Sequence, residues 1–210
     1  MSGVTSRGIH IVFEGPEAVG KSTQIIRTRD QLLQQGFEVV MTREPGVAGY
    51  GAKLRELILD TDIYITPRAE ALAMASDRAQ NVEIEIVPAL EQGKIVLSDR
   101  HVPSSLVYQG VVRGLGVDAV SKLSEFACAG HVPDLVLCFD LDDELAKARA
   151  KQTPDRMERE GDDFHQRVRD AYRTLTDQFG WSRIDANGSE DEVFGQIMDL
   201  IKPFLSDKSI

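Results

Sequence analysis

Short apolar runs alternate with longer amphipathic stretches along this chain. Five short runs predict strands, at residues 9–13, 37–41, 95–97, 133–140 and 181–184. Stretches with a helical spacing of apolar residues separate them, at residues 24–35, 52–60, 67–90, 164–179 and 190–205. Strands that alternate with helices in this way predict an α/β fold of three layers with a mainly parallel sheet.

The apolar positions within these stretches predict which helix faces pack against the sheet. We expect inward-facing side chains at Ile25, Ile26, Leu32 and Leu33 of the first helix, Leu54, Leu57 and Ile58 of the second, and Val193, Ile197, Leu200 and Ile201 of the last. The run at 133–140 is more hydrophobic than the others, which favours a central place in the sheet.

A glycine-rich segment joins the first predicted strand to the first predicted helix. It fits the pattern G-x-x-x-x-G-K-[ST] and comprises Gly15, Pro16, Glu17, Ala18, Val19, Gly20, Lys21, Ser22 and Thr23. A strand, a tight turn and a helix N-terminus in this order aim backbone N–H groups at one point, where the helix dipole also favours an anion. We therefore predict a nucleoside triphosphate site, in which Lys21 reaches the β- and γ-phosphates and Ser22 ligates Mg²⁺.

The length and the net charge of the chain limit the classes of protein to which it can belong. A chain of 210 residues is long enough for a full core, and we expect a single domain over residues 1–210. The formal net charge of −10 argues against a nucleic-acid or acidic-membrane surface.

Because no apolar run reaches the ~18 residues of a membrane helix and no secretory signal is recognised, we expect a cytoplasmic protein. Cys128 and Cys138 have neither a disulfide-framework nor a metal-ligand spacing, so we expect both to be buried small residues.

Polar residues follow two of the predicted strands. Arg43 comes in a turn-rich loop after the second strand, and Asp99 and Arg100 follow the third. Ligands of open α/β sheets bind at the edge where such loops gather. There Asp99 is placed to meet Mg²⁺, and Arg100 is placed for a two-pronged contact with phosphate. Ser105, Tyr108 and Gln109, a little further on, are able either to cap a helix or to contact a base and a sugar.

Three further features have both a structural and a functional interpretation. Glu70, Met74 and Arg78 recur at every fourth residue, which is typical of an ordinary half-buried helix face as well as of a binding wall. Arg55 is either a solvated helix arginine or a site residue. Residues 144–160 contain a dense run of basic residues, which is either a solvated helix or a lid that brings cations over a phosphate. That run holds Lys147, Arg149, Lys151, Arg156 and Arg159.

Five motifs in order give the chain a resemblance to the thymidylate (dTMP) kinase family over nearly its whole length. The motifs are Phe13-Glu14-Gly15 with Gly20-Lys21-Ser22-Thr23, then Thr42-Arg43-Glu44-Pro45-Gly46, then Asp99-Arg100-His101 with Ser104-Ser105, Tyr108-Gln109-Gly110 and Arg113-Gly114-Leu115, then Pro133-Asp134-Leu135, and last Asp155-Arg156 with Glu158 and Glu160. The resemblance implies the P-loop nucleoside monophosphate kinase fold with a short lid at about 147–160. It also implies phosphoryl transfer from ATP to dTMP, with Mg²⁺, in a homodimer.

The resemblance also implies roles for single residues. Lys21, Glu17, Arg100 and Arg149 match catalytic positions; the segment from Gly15 to Thr23, with Arg149, matches the ATP site; Ser22 and Asp99 match the metal site; and Glu17, Arg43, Arg55, Met74, Arg78, Arg100, Ser105, Tyr108 and Gln109 match the dTMP site. An acidic Glu17 without a P-loop arginine resembles the bacterial variety, in which the lid supplies the catalytic arginine. Met74 departs from the family, which usually has a phenylalanine on the thymine face. Val47, Ala48 and Pro154 are further departures.

Two other functions remain open from the residues. The first is a kinase for another pyrimidine monophosphate such as dUMP, which Met74 keeps open. The second is a nucleotide-binding regulatory module without turnover. A GTPase is not favoured, because the guanine-recognition motif N-K-x-D does not occur in the chain.

Overall fold

In the part of the chain that the structure describes, five parallel strands make one sheet in the order β2-β3-β1-β4-β5. They are β1 (Ile9–Glu14), β2 (Val39–Arg43), β3 (Ile95–Asp99), β4 (Leu135–Asp140) and β5 (Ser182–Asp185). The computed structural model describes residues 7–46, 49–148 and 160–206. Ile11 lies beside Leu97 on one side and Leu135 on the other. The central strand is β1, and all six of its residues are buried.

Helices connect the strands. They are α1 (Lys21–Gln34), α2 (Tyr50–Leu59), α3 (Pro67–Asn81), α4 (Val87–Glu91), α5 (Val102–Ser105), α6 (Val117–Ala127), α7 (Asp143–Ala148), α8 (Asp162–Phe179) and α9 (Glu190–Ser206). Two π-helical segments, Val82–Ile86 and Leu106–Val112, run between α3 and α4 and after α5. Among the described helices, none has the length and hydropathy that crossing a bilayer requires.

Alternate residues of the strands face two different helical layers. Ile11 and Leu137 pack in one apolar cluster with residues of α1 and α9. Val96 and Cys138 point to the opposite side of the sheet, where they join clusters built with α4 and α8. Because side chains alternate across a strand, apolar residues of the inner strands pack against helices on both faces of the sheet. The three-layer α/β fold with a parallel sheet is confirmed.

The element predictions are largely confirmed, with shifts at their ends. The run at 133–140 is an inner strand, although β1 rather than β4 is central. The predicted helix at 67–90 is α3, a π-helical segment and α4 in succession. Helix α6 is absent from the sequence predictions, which assign no element to its residues. Cys128 and Cys138 are free and buried, as expected.

For three residues, the prediction of an inward-facing side chain is wrong. Ile26 is 44% exposed, Leu33 is 48% exposed and Leu57 is 49% exposed. The buried stripe of α1 passes through Ile25 and Leu32, and each residue along a helix turns about 100° from the one before it. The neighbours of the stripe therefore face solvent, although they are equally apolar.

Leu32 and Leu33 are adjacent leucines on α1 and give a matched pair for testing the core. We expect Leu32→Ala to lower the free energy of unfolding by about 2–5 kcal/mol, because Leu32 is fully buried in the cluster beneath α1. Leu33→Ala should lower it by less than about 1 kcal/mol, since the side chain is half exposed. Equal losses in urea unfolding would contradict this assignment of the inward face.

Candidate active site

The carboxyl ends of the parallel strands meet at one edge of the sheet, and a cavity of about 430 Å³ opens there. The structure brings most of the predicted site residues together around it: Glu17, Ala18, Val19, Gly20, Lys21, Ser22, Thr23, Arg43, Arg55, Met74, Arg78, Asp99, Arg100, Ser105, Tyr108 and Gln109. Lining residues to which the sequence analysis gave no role are Glu44, Pro45, Leu59, His101 and Ser104. This edge is where open α/β sheets bind their ligands.

The loop between β1 and α1 has the backbone that an anion cradle requires. Gly15 has a φ of 138°, and a Cβ added to it would lie 2.8 Å from the carbonyl oxygen of Phe139. Gly20, directly before α1, has a φ of 91°. Both positions favour glycine, because other residues rarely adopt such φ values. The loop thus delivers the N-terminus of α1 to the cavity, where its free N–H groups favour an anion.

Lys21 is held inside this loop. Its side chain is 7% exposed, and Nζ donates hydrogen bonds to the carbonyl oxygens of Gly15 at 2.9 Å and Pro16 at 2.5 Å. Burial, with a contribution from the nearby Arg100 charge, lowers the pKa of Lys21 to about 8. An ammonium that is desolvated beside a second cation gains from an incoming anion, and a phosphate at the loop supplies one.

Arg100 connects the loop to the segment after β3. Its guanidinium forms an ion pair with Glu17 and donates to the Gly15 carbonyl at 3.1 Å and to the Tyr172 hydroxyl at 3.1 Å. The Tyr108 ring lies beneath it, with 5.4 Å between the guanidinium carbon and the ring centroid. Arg100 has a φ of 73°, which is uncommon for a residue other than glycine. Contacts from the β1–α1 loop and from Tyr172 therefore fix the Arg100 side chain beside that loop.

Glu14, to which sequence reasoning assigned no role, anchors this arrangement. It is fully buried at the end of β1 and accepts four hydrogen bonds: from the His101 and Ser104 N–H groups at 2.7 and 3.2 Å, and from the Ser104 and Tyr172 hydroxyls at 2.7 and 2.9 Å. A carboxylate that ends a largely apolar strand is an available sequence signal, because a buried carboxylate needs donors. The identity of those donors is not readable from the sequence.

A second buried network surrounds Arg78. The Arg78 side chain is 2% exposed, and Nε donates to Glu44 Oε2 at 2.8 Å. One terminal nitrogen donates to the His101 carbonyl oxygen at 2.9 Å and to Ser105 Oγ at 3.0 Å. Glu44 also accepts from His101 Nδ1 at 2.8 Å and from Asn81 at 3.0 Å. The peptide bond between Glu44 and Pro45 is cis.

The charges of this network shift one another's protonation. Burial alone would raise the pKa of Glu44, but the neighbouring charges of Arg78 and His101 and the hydrogen bonds to Glu44 lower it to about 2. Burial alone would lower the pKa of His101, but Glu44 and a contact with the Cys128 thiol raise it to about 9. At neutral pH the network therefore consists of one carboxylate between two cations.

The remaining predicted acceptor residues border the same cavity from different elements. Met74 lies half-buried on α3, and Gln109 is buried in the π-helical segment after α5. Tyr108 donates to Glu17 at 3.4 Å. Arg55 of α2 donates to the Pro45 carbonyl at 2.8 Å, and Arg43 is exposed at the end of β2. The cavity is thus lined by cations, an amide and a thioether that come from several different elements.

Ser22 and Asp99, the predicted metal residues, both line the cavity. Asp99 Oδ1 is buried and has no hydrogen-bond partner within the described residues. Within those same ranges, no cluster of three or more His, Cys, Asp or Glu side chains has the arrangement of metal ligands. The pair fits Mg²⁺, which is usually held by one or two carboxylates together with waters and substrate phosphates.

Most basic residues of the predicted lid lie outside the residues that the structure describes. Helix α7 ends at Ala148, and Arg149, Lys151, Pro154, Arg156 and Arg159 lie outside the described residues, as do Val47 and Ala48. The predicted role of Arg149 therefore stays a prediction.

The parallel sheet, the phosphate-type loop and the adjoining pocket define a P-loop nucleoside monophosphate kinase. A family model described as thymidylate kinase matches residues 13–197. The chain belongs to the thymidylate kinase family and is accordingly an enzyme.

Curated relatives match along nearly the whole chain. The thymidylate kinase of Thermoanaerobacter sp. (strain X514) is 43% identical over 202 residues, which cover 95% of this chain and 100% of that protein. That of Finegoldia magna is 46% identical over 196 residues, covering 91% and 97%. That of Clavibacter michiganensis subsp. michiganensis is 46% identical over 199 residues, covering 93% and 89%.

The raised pKa of His101 predicts an alkaline loss of stability. A histidine with a pKa of about 9 in the folded protein and 6.5 when unfolded stabilises fully below pH 6.5, and this contribution is lost as the pH rises through 9. Between pH 6.5 and 8 the free energy of unfolding should fall by about 1–2 kcal/mol more in the wild type than in His101→Gln.

Lys21 determines why the comparison of unfolding free energies ends at pH 8. Its pKa is lowered from 10.5 to about 8, so its contribution to stability rises with pH above 8 and opposes that of His101. His165→Gln, on α8, is the matched control and should retain the wild-type slope in urea unfolding. An unchanged slope in His101→Gln would show that His101 does not carry this proton.

Proposed function

We propose that this protein phosphorylates dTMP to dTDP with ATP as the donor and Mg²⁺ as the metal. The observation that carries the proposal is the shared cavity, in which a phosphate-type loop, Arg100 and a pocket with cations and amides face one another. The family membership and the names of the relatives support thymidylate as the acceptor. Phosphoryl transfer needs alignment and charge cancellation rather than covalent help from the protein, which such a cavity provides.

The donor phosphates are proposed to lie in the loop from Gly15 to Thr23. The N–H groups at the start of α1 and the buried ammonium of Lys21 bind them. Ser22 and Asp99 would hold Mg²⁺, which neutralises phosphate charge when bound. Lys21 is held by two carbonyl oxygens of the same loop, so its ammonium already lies where a phosphate would contact it.

The acceptor phosphate is proposed to bind between Arg43, Arg55 and Arg100. Its oxygens are already ionised at neutral pH, so the nucleophile requires no strong general base. Glu17 then acts by holding Arg100, with which it forms an ion pair, and by contacting the sugar. Tyr108, stacked below Arg100, crowds the position of a ribose 2′-hydroxyl.

The thymine is proposed to lie among Met74, Arg78, Ser105 and Gln109. Arg78 is fixed by Glu44 and Ser105, so a donor group at this wall of the pocket is preorganised for a base carbonyl. Met74 packs on the base face with a thioether instead of an aromatic ring. This substitution favours, as the second candidate, a kinase for another pyrimidine monophosphate such as dUMP.

Three further parts of the proposal rest on the family resemblance. Arg149, outside the described residues, supplies a positive charge to the transferring phosphoryl group, as in the bacterial variety with a lid-supplied arginine. The chain acts as one domain in a homodimer. It works in the cytoplasm, where it serves DNA precursor supply.

An acceptor panel tests the proposal. In a coupled assay of ADP release with ATP and Mg²⁺, dTMP should give strong turnover and dUMP, dCMP, dGMP and UMP weak turnover, because the pocket is matched to a thymine deoxynucleotide. Omission of any acceptor is the control for ATP hydrolysis. Equal rates with dTMP and dUMP would favour the second candidate, and nucleotide binding without turnover would favour a regulatory module.

A further inference from the structure

The Gln109 amide is held from behind by a buried carboxylate. Glu70 lies in the first turn of α3 and is fully buried. Gln109 Nε2 donates a hydrogen bond to Glu70 Oε1 at 3.0 Å, across 39 residues of sequence. Gln109 itself is 1% exposed and lines the cavity. This hydrogen bond thus joins Gln109, which lines the cavity, to Glu70, which does not.

Arg113 faces the Glu70 carboxylate and donates to both of its oxygens. Its guanidinium lies 3.4 Å from Glu70 Oε1, and an opposite charge at that distance favours the carboxylate. Arg113 is itself fixed by Glu160, at 2.7 Å, and by the Phe164 ring, whose centroid is 5.0 Å from the guanidinium carbon. Glu70 is thus an acceptor of hydrogen bonds and not a donor.

A carboxylate acceptor determines which way round the neighbouring amide lies. The NH₂ group of Gln109 must face Glu70, because an amide carbonyl against a carboxylate would bring two acceptors together. The carbonyl oxygen Oε1 is therefore the end of the amide left for the cavity. In the described part of the chain, no hydrogen bond ends on this oxygen.

We propose that Glu70 is a positioning residue for base selection, which acts by presenting the Gln109 carbonyl oxygen to the N3 edge of the acceptor base. Thymine and uracil carry an N3–H donor that pairs with a carbonyl oxygen. Cytosine has an unprotonated acceptor at N3, so it meets two facing acceptors and an unpaired buried group. The inference rests on the proposed function and deepens it, since it assigns the rejection of cytosine to this amide.

Glu70→Gln tests the inference with one atom changed. An amide at position 70 donates as readily as it accepts, so it no longer determines the orientation of Gln109. The ratio of kcat/KM for dTMP to that for dCMP should fall by about tenfold. The ratio for dTMP to dUMP should stay unchanged, because both bases carry N3–H. A general loosening of the pocket would not separate the two ratios in this way.

Controls and a second variant keep the outcomes distinct. Glu83→Gln makes the same substitution at an exposed site and should leave both ratios as in the wild type. If Glu70→Gln does not fold, Arg113→Gln decides, since it removes the guanidinium that fixes the Glu70 carboxylate against Gln109; the dTMP to dCMP ratio should again fall. Folded variants that turn over dTMP with unchanged ratios would overturn this inference alone. A wild type without dTMP turnover would overturn the proposed function as well.

Discussion

The buried carboxylate of Glu14 is the constraint on which the site depends. Its four hydrogen bonds join the end of β1 to the loop after β3 and to Tyr172 of α8. Each hydrogen bond to a charged group is worth about 1.5–3 kcal/mol, and an unpaired buried carboxylate is far more costly. A shift of the segment that carries Arg100 away from the phosphate-type loop would therefore break hydrogen bonds to the buried Glu14 carboxylate. Arg100 in turn forms an ion pair with Glu17, so the loop and the cavity wall after β3 share one support.

The cavity is surrounded by charges that a protein selected for stability alone would avoid. The Glu44 carboxylate lies between Arg78 and His101, and all three side chains are almost wholly buried. Replacement of such groups by apolar residues is often neutral or stabilising, so their retention fits a requirement for preorganised polarity at the site. The apolar clusters beneath α1, α8 and α4 supply the compensating burial. Buried polar groups also support the pocket wall from outside the cavity: Gln109 lines the cavity, and Glu70, which does not, accepts a hydrogen bond from it.

Sequence patterns predict this fold well where the signal is local. The strands and the loop from Gly15 to Thr23 follow from runs of adjacent residues, and the parallel sheet follows from their alternation with helices. The side of a helix that faces inward is less well predicted, as Leu33 illustrates, because apolar composition does not fix the rotation of α1. The partners of Glu14 and Glu70 are beyond sequence reasoning: the Tyr172 hydroxyl lies 158 residues away in sequence from Glu14. Such contacts arise only when the sheet brings distant segments to one edge.

We propose that the donor and acceptor nucleotides occupy one continuous cavity in each chain. The most direct test of this proposal is calorimetric titration with a dinucleotide in which adenosine and thymidine are joined 5′ to 5′ through a polyphosphate. We predict one bound molecule per chain, displaced both by dTMP and by ATP, with an affinity well above that for either nucleotide, because linked ligands raise each other's effective concentration. Binding no tighter than for the single nucleotides, or displacement by one of them alone, would contradict the shared cavity.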